Sequence, residues 1–178
     1  MAMMLFVRLF ASQAWLLERA LREDVSWGIS TYRPRLLWHL EATIAAHGDS
    51  ARVGRGDLLL VRTGRLARAR REGWGDYAGG PSAGLSFTTA DWLHDTEIAG
   101  IATDTWGFEV RPNEFDEAFQ PLHQVVIPHL GLFVGELWDL DALAADCAAD
   151  GVWEFFLAAA PLPVTGAVGA PVNPIAVK

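Results

Sequence analysis

The sequence predicts an α/β protein with a mixed sheet, and three observations lead to this class. Short apolar runs are separated by glycine and polar turns, as in buried strands. Segments with helix caps alternate with those runs. The 178 residues are 51% hydrophobic and 20% charged, which suits a globular domain with a substantial core.

The first forty residues differ in composition from the remainder of the chain. They carry three tryptophans and five arginines but a single glycine. Phe10, Ala14, Leu17 and Leu21 recur at helical spacing, which predicts an amphipathic helix over Phe10–Arg22. We therefore divide the chain into an atypical segment, 1–40, that is helical or foreign to the fold, and a domain, 41–178.

Strands and helices alternate through the domain. Apolar runs predict strands at Leu58–Val61, Ile98–Thr103, Gly131–Leu137 and Val152–Ala159. Helices are predicted from Thr88 or Thr89 through Leu93, and over Asp139–Ala149, capped by Asp139 and stopped by Gly151. Loops are predicted over Gly73–Gly84, over the irregular stretch Gly107–His123, and in the proline-rich tail before a last short strand.

Charge and cysteine content exclude several classes of function. The net charge is −8, so the five arginines within Arg62–Arg71 predict a solvated helix or loop face rather than a nucleic-acid surface. The single cysteine, Cys147, excludes an internal disulfide and is expected to be a buried thiol. No apolar run is long enough to span a membrane, and the N-terminus lacks secretory-signal features, so we expect a cytoplasmic protein without membrane or nucleic-acid partners.

The most informative segment for chemistry runs from His123 to Glu136. Five histidines are present, but none forms His-Glu-x-x-His, and the serine-hydrolase and phosphate-loop motifs are absent from the sequence. Glu136 lies near the end of a strand expected to be buried, where a carboxylate is costly unless it is paired, hydrogen-bonded or bound to metal. Two interpretations stay open: His123 and Glu136 bind a metal, or they form a hydrogen-bonded core pair.

A second candidate site lies at the end of the strand Ile98–Thr103. Ligands often bind at the carboxyl ends of strands in open α/β sheets, so Asp104 could orient a ligand. Capping of the adjacent turn is an equally good explanation of this residue. Trp106 could line a substrate pocket or serve in plain packing.

Together these segments resemble the cyclase family of metal-dependent hydrolases, which includes bacterial kynurenine formamidase. The similarity covers about Glu41 to Lys178 and is carried by the order of four segments: Gly56–Gly64, Ile101–Thr105, His123–Glu136 and Ala160–Pro174. The resemblance implies a swivelling β/β/α fold and a zinc or manganese cofactor. It also implies hydrolysis of a small amide or a cyclic amide or ester, as in an arylformamidase, and a homo-oligomer.

The resemblance assigns His123 and Glu136 to the later pair of metal ligands, with His129 as a neighbour. The family's earlier ligand motif, His-x-Gly-Thr-His-x-Asp, does not occur in this sequence. Because three protein ligands are usual for a catalytic metal, we expect a fold that is incomplete at its N-terminus, and the activity of the chain as it stands is left open. The alternative is a non-catalytic, truncated homologue that acts as an oligomerising or interaction module.

Overall fold

A mixed six-stranded sheet is formed by residues 7–11 and 53–178, the residues that this computed structural model describes. Its strands are β1 Val7–Ala11, β2 Leu58–Arg62, β3 Gly100–Thr103, β4 Phe133–Gly135, β5 Glu154–Ala158 and β6 Ile175–Val177. Their order in the sheet is β4-β3-β2-β1-β5-β6. Strands β1 to β4 are parallel, whereas β5 runs antiparallel to β1 and β6 antiparallel to β5.

Strands β2 and β3 are covered on both faces of the sheet. Leu59 lies opposite Ile101 and Leu60 lies opposite Ala102, so side chains of the two pairs project to opposite faces. Each face has its own core, because Leu59 and Ile101 belong to one buried cluster and Leu60 and Ala102 to another. Continuous apolar strands of this kind are typical of the buried centre of a parallel sheet.

Four helices described in the structure surround the sheet: α1 Arg65–Glu72, α2 Ala90–Asp95, α3 Pro121–Val126 and α4 Asp141–Asp150. A 3-10 turn, Phe87–Thr89, precedes α2. Helices α2 and α3 contribute Leu93, Leu122 and Val126 to the cluster of Leu59, while α4 packs Ala144 and Cys147 into the opposite cluster. None of the helices in the described part of the chain is long and apolar enough to cross a membrane.

The α/β class and the mixed sheet are confirmed, and most predicted elements lie where the sequence placed them. Three predictions about the domain 41–178 need correction. The stretch Gly107–His123 is not irregular throughout, since α3 begins at Pro121. The strand predicted over Gly131–Leu137 is reduced to β4, a short edge strand. The N-cap residue of α4 is Leu140 and not Asp139, although Asp139 Oδ1 accepts the N–H of Asp141, the first helical residue, at 3.4 Å.

The predicted helix over Phe10–Arg22 is wrong at its start, because Phe10 lies in β1. The rest of that prediction lies outside the described residues. Strand β1 sits between β2 and β5, so the N-terminal segment supplies an internal strand of the sheet. The division of the chain at residue 40 stays a prediction.

Candidate functional site

The candidate site is a row of three side chains with an imidazole between two carboxylates. His123, on α3, contacts Glu109 through Nδ1 at 2.5 Å and Glu136 through Nε2 at 2.8 Å. The Phe108 ring packs against the imidazole, with centroids 4.6 Å apart. Both ring nitrogens of His123 are therefore engaged, and the ring is held from its side as well.

Glu109 is the inner carboxylate of this row, and the sequence analysis missed it. Its side chain is 3% exposed. Besides the imidazole, its oxygens accept hydrogen bonds from the backbone N–H groups of Leu122 and His123, both at 3.1 Å. It therefore ties the first turn of α3 to the segment that follows β3. A signal was available, because Glu109 stands within the otherwise apolar run Gly107–Val110.

A close backbone approach positions Glu109. Leu85 exchanges backbone hydrogen bonds with Phe108 and Val110, which flank Glu109. Gly84 makes this approach possible, because a Cβ built there would lie 2.2 Å from the carbonyl carbon of Glu109. Any larger residue at position 84 must displace the backbone that carries the inner carboxylate.

Glu136, the outer carboxylate, follows β4 directly. Its Oε1 atom also accepts a hydrogen bond from the Phe108 N–H at 3.2 Å. The next residue, Leu137, has a left-handed backbone (φ 62°) and donates its N–H to the carbonyl of Thr105 at 2.9 Å. The expectation that Glu136 lies in a buried strand is wrong, because its side chain is 32% exposed beside an edge strand. It is the carboxylate of the row that solvent reaches.

The electrostatics of the row favour a protonated imidazole. Burial lowers the pKa of His123, but the hydrogen bonds that the ring donates to Glu109 and Glu136 outweigh burial and raise that pKa to about 9. With both nitrogens protonated, the imidazolium donates one hydrogen bond to each carboxylate. The proton on Nε2 lies between the two groups that the sequence assigned to a metal.

Asp104 is 1% exposed and lies at the end of β3, as predicted. Its Oδ1 accepts hydrogen bonds from the N–H and hydroxyl of Thr63, both at 2.7 Å, and its Oδ2 accepts one from the Gly64 N–H at 2.9 Å. These bonds join the end of β3 to the start of α1. The role of Asp104 in orienting a substrate stays a prediction, because these three hydrogen bonds of its carboxylate go to Thr63 and Gly64.

Trp106 lies close to the row. Gly107, the next residue, passes beside Glu136, since a Cβ built on it would be 4.0 Å from Oε1 of that carboxylate. The indole meets Phe119 edge-to-face at 6.5 Å, and the guanidinium of Arg111 lies 5.1 Å from the indole and 4.9 Å from the phenyl ring. The indole also packs against the cluster of Leu66, Ala69 and Tyr77, and contact of Trp106 with substrate stays a prediction.

The other polar groups that drew attention in the sequence are occupied elsewhere. His129 is exposed on the surface. All five arginines of the basic cluster pair with carboxylates: Arg62 with Asp141, Arg65 with Asp76, Arg68 and Arg71 with Glu72, and Arg70 with Asp139. Cys147 is fully buried, as expected, and burial raises the pKa of its thiol.

The donor atoms of the row suit a divalent metal but form only part of a site. An imidazole nitrogen and a carboxylate oxygen, here 2.8 Å apart, are both common ligands of zinc. Within residues 7–11 and 53–178, no group of three or more His, Cys, Asp or Glu side chains is arranged to bind a metal ion. The described residues thus fit two ligands, with Glu109 behind the imidazole.

Fold and site together define an α/β protein whose candidate site consists of a carboxylate–imidazole–carboxylate row at the edge of a mixed sheet. The profile of the family described as putative cyclase matches residues 13–110, more than half of the chain. The chain belongs to this cyclase family. The matched range begins inside segment 1–40 and ends before His123. No curated protein sequence matches the chain significantly.

Solved structures share this fold, and one that is 33% identical extends the family assignment over 97% of the chain. A protein described as a novel cyclase is 33% identical, with a TM-score of 0.71, over 97% of this chain and 53% of its own. Isatin hydrolase A from Ralstonia solanacearum is 19% identical, with a TM-score of 0.66, over 97% of this chain and 60% of its own. A potential metal-dependent hydrolase with cyclase activity is 22% identical, with a TM-score of 0.51, over 74% and 54%. The chain thus spans little more than half the length of these proteins.

Proposed function

We propose that this chain is part of a metal-dependent hydrolase that opens a small amide or a cyclic amide or ester. His123 Nε2 and Glu136 bind the divalent cation, zinc or manganese, and further ligands come from outside residues 53–178. The observation that carries the proposal is the row itself, in which a solvent-accessible carboxylate faces an imidazole nitrogen at 2.8 Å. Membership of the cyclase family and the descriptions of its solved relatives as hydrolases support the reaction class.

The chemistry follows from the ligands and their surroundings. A bound divalent cation lowers the pKa of a water molecule and polarises the substrate carbonyl. In this chain, His123 must give up its Nε2 proton before that nitrogen can bind a cation, so cation and proton compete for one position. Trp106 and its edge-to-face partner Phe119 are the aromatic side chains that we propose for packing against a planar substrate.

A second candidate function is a non-catalytic module that associates with another copy of the chain. One face of the β5–β6 hairpin favours it. Phe156 lies opposite Val177 and Ala158 opposite Ile175, and the three large side chains are each about half exposed. Exposed apolar faces of this kind often mark association surfaces. Metal binding separates this candidate from the hydrolase.

The decisive experiment measures zinc and manganese in the purified chain by elemental analysis after extensive dialysis, and titrates each metal back by calorimetry. We expect bound metal that is lost in His123→Ala and in Glu136→Ala. The matched control is His129→Ala, which removes an exposed imidazole from the same segment and should leave metal binding unchanged. A wild-type chain that binds neither metal contradicts the hydrolase proposal. An oligomer in sedimentation that Phe156→Asp dissociates would then favour the second candidate.

A further inference from the structure

Glu109 is the most deeply buried member of the row, and its contacts are unusual. Its Oε1 accepts hydrogen bonds from both the backbone N–H and the Nδ1 of the same residue, His123, at 3.1 Å and 2.5 Å. Oε2 accepts the Leu122 N–H. One carboxylate thus accepts hydrogen bonds from both the imidazole and the backbone of His123, which restricts rotation of the ring about its side-chain bonds.

The direction of these hydrogen bonds fixes where the imidazole keeps its proton. Both oxygens of Glu109 already face backbone N–H donors, so the group acts as an acceptor. Nδ1 must therefore donate, and it keeps a hydrogen in the neutral ring as well as in the charged one. The nitrogen left with a lone pair in the neutral ring is Nε2, which faces Glu136.

We propose that Glu109 is a positioning residue that holds His123 in the Nδ1–H tautomer and aims the Nε2 lone pair at a divalent cation shared with Glu136. The inference rests on the proposed function for the identity of the cation, but the choice of tautomer does not depend on it. Carboxylate groups behind metal-bound histidines fix the ring in this way, and their loss weakens metal binding by roughly 10- to 100-fold.

The first test reads the tautomer in the metal-free chain. Two-dimensional ¹⁵N–¹H spectra of the His123 ring, recorded with chelator at the alkaline end of its titration, show which nitrogen keeps the proton. We expect Nδ1–H in the wild type and a shift toward Nε2–H in Glu109→Gln. A neutral wild-type ring protonated on Nε2 overturns the proposal, whether or not the protein binds metal.

The second test measures zinc affinity by competition with a coloured chelator. We expect Glu109→Gln to raise the zinc dissociation constant about 10- to 100-fold. The matched control is Glu114→Gln, because Glu114 also accepts a backbone N–H, from Phe87, and a hydroxyl, from Ser86, but is not a member of the row. The control should bind zinc like the wild type. Equal loss in both variants, or no loss in Glu109→Gln, overturns the positioning role.

The two tests separate failure of this inference from failure of the proposed function. A wild-type chain that keeps Nδ1–H but binds no zinc refutes the metal site and leaves the positioning of the ring established. Circular dichroism and thermal unfolding show whether each variant folds. If Glu109→Gln does not fold, the wild-type tautomer and the more conservative Glu109→Asp decide the question.

Discussion

Substitution of Asp104 tests whether this buried carboxylate organises the end of the sheet. In Asp104→Asn, the oxygen that accepts two hydrogen bonds from Thr63 can remain, but an amide N–H₂ replaces the oxygen that faces the Gly64 N–H. Two donors then meet in a site that is 1% exposed. In Asp104→Ala, all three donors lose their acceptor.

The expected magnitude follows from the number of donors left without a partner. A buried donor that loses its acceptor costs about 1–3 kcal/mol. We therefore expect Asp104→Asn to lower the free energy of unfolding by about 1–3 kcal/mol. Because the three losses share one site and relax together, we expect a loss of about 3–5 kcal/mol for Asp104→Ala.

Urea denaturation of the metal-free chain at 25 °C measures both losses. An unchanged slope of the unfolding free energy against urea concentration indicates that unfolding stays two-state. Asp95→Asn is the control, because the Asp95 side chain is 79% exposed and its replacement should change stability by less than about 0.5 kcal/mol. If Asp104→Asn unfolds with the wild-type free energy, the carboxylate does not hold Thr63 and Gly64. It would then be free to contact a substrate, as the sequence first suggested.

Three further predictions concern the row and the core. Because the pKa of His123 is raised to about 9, the stability advantage of the wild type over His123→Gln in chelator should be largest below pH 6.5 and fall by about 3 kcal/mol as pH rises through 9. A difference constant across that range, in paired urea titrations, would refute this. Gly84→Ala should lower the free energy of unfolding by about 1–3 kcal/mol, because its Cβ collides with the Glu109 backbone. In calorimetry, the control Gly54→Ala should unfold like the wild type, because a Cβ at position 54 meets nothing within 4 Å. The buried Cys147 thiol should react with a coloured disulfide reagent only in denaturant, and fast labelling of the native chain would contradict its burial.

The parts of the fold that were predicted correctly are those specified by neighbouring residues. Strands β2 and β3 are apolar runs between turn residues, and α4 ends at Gly151, whose backbone is left-handed as a helix stop requires. The sequence pattern does not predict helix α3, because Pro112, Asn113 and Pro121 together indicate irregular chain. Proline is in fact favoured in the first turn of a helix, where its missing N–H has no partner to lose.

Strand β1 was missed for a different reason. Its partners are residues 58–62 on one side and 154–155 on the other, far away in sequence. Pairing of this kind depends on which distant segments meet, and the local spacing of Phe10 with later apolar residues suggested a helix instead. The periodicity of a short segment does not reveal an internal strand whose neighbours join it from elsewhere in the chain.

The candidate site shows the same division between local and distant information. The sequence pattern predicted that His123 and Glu136 lie together. It also predicted that Glu136 is the buried carboxylate, and it gave no such prediction for Glu109. In the structure, Glu109 is the buried group, with three hydrogen bonds to its oxygens, and Glu136 is one-third exposed. This distribution suits a binding site better than the predicted one. An inner carboxylate fixed by the backbone can orient an imidazole, whereas an outer carboxylate must stay accessible to a cation or substrate. A row buried throughout would bind its own proton and nothing else.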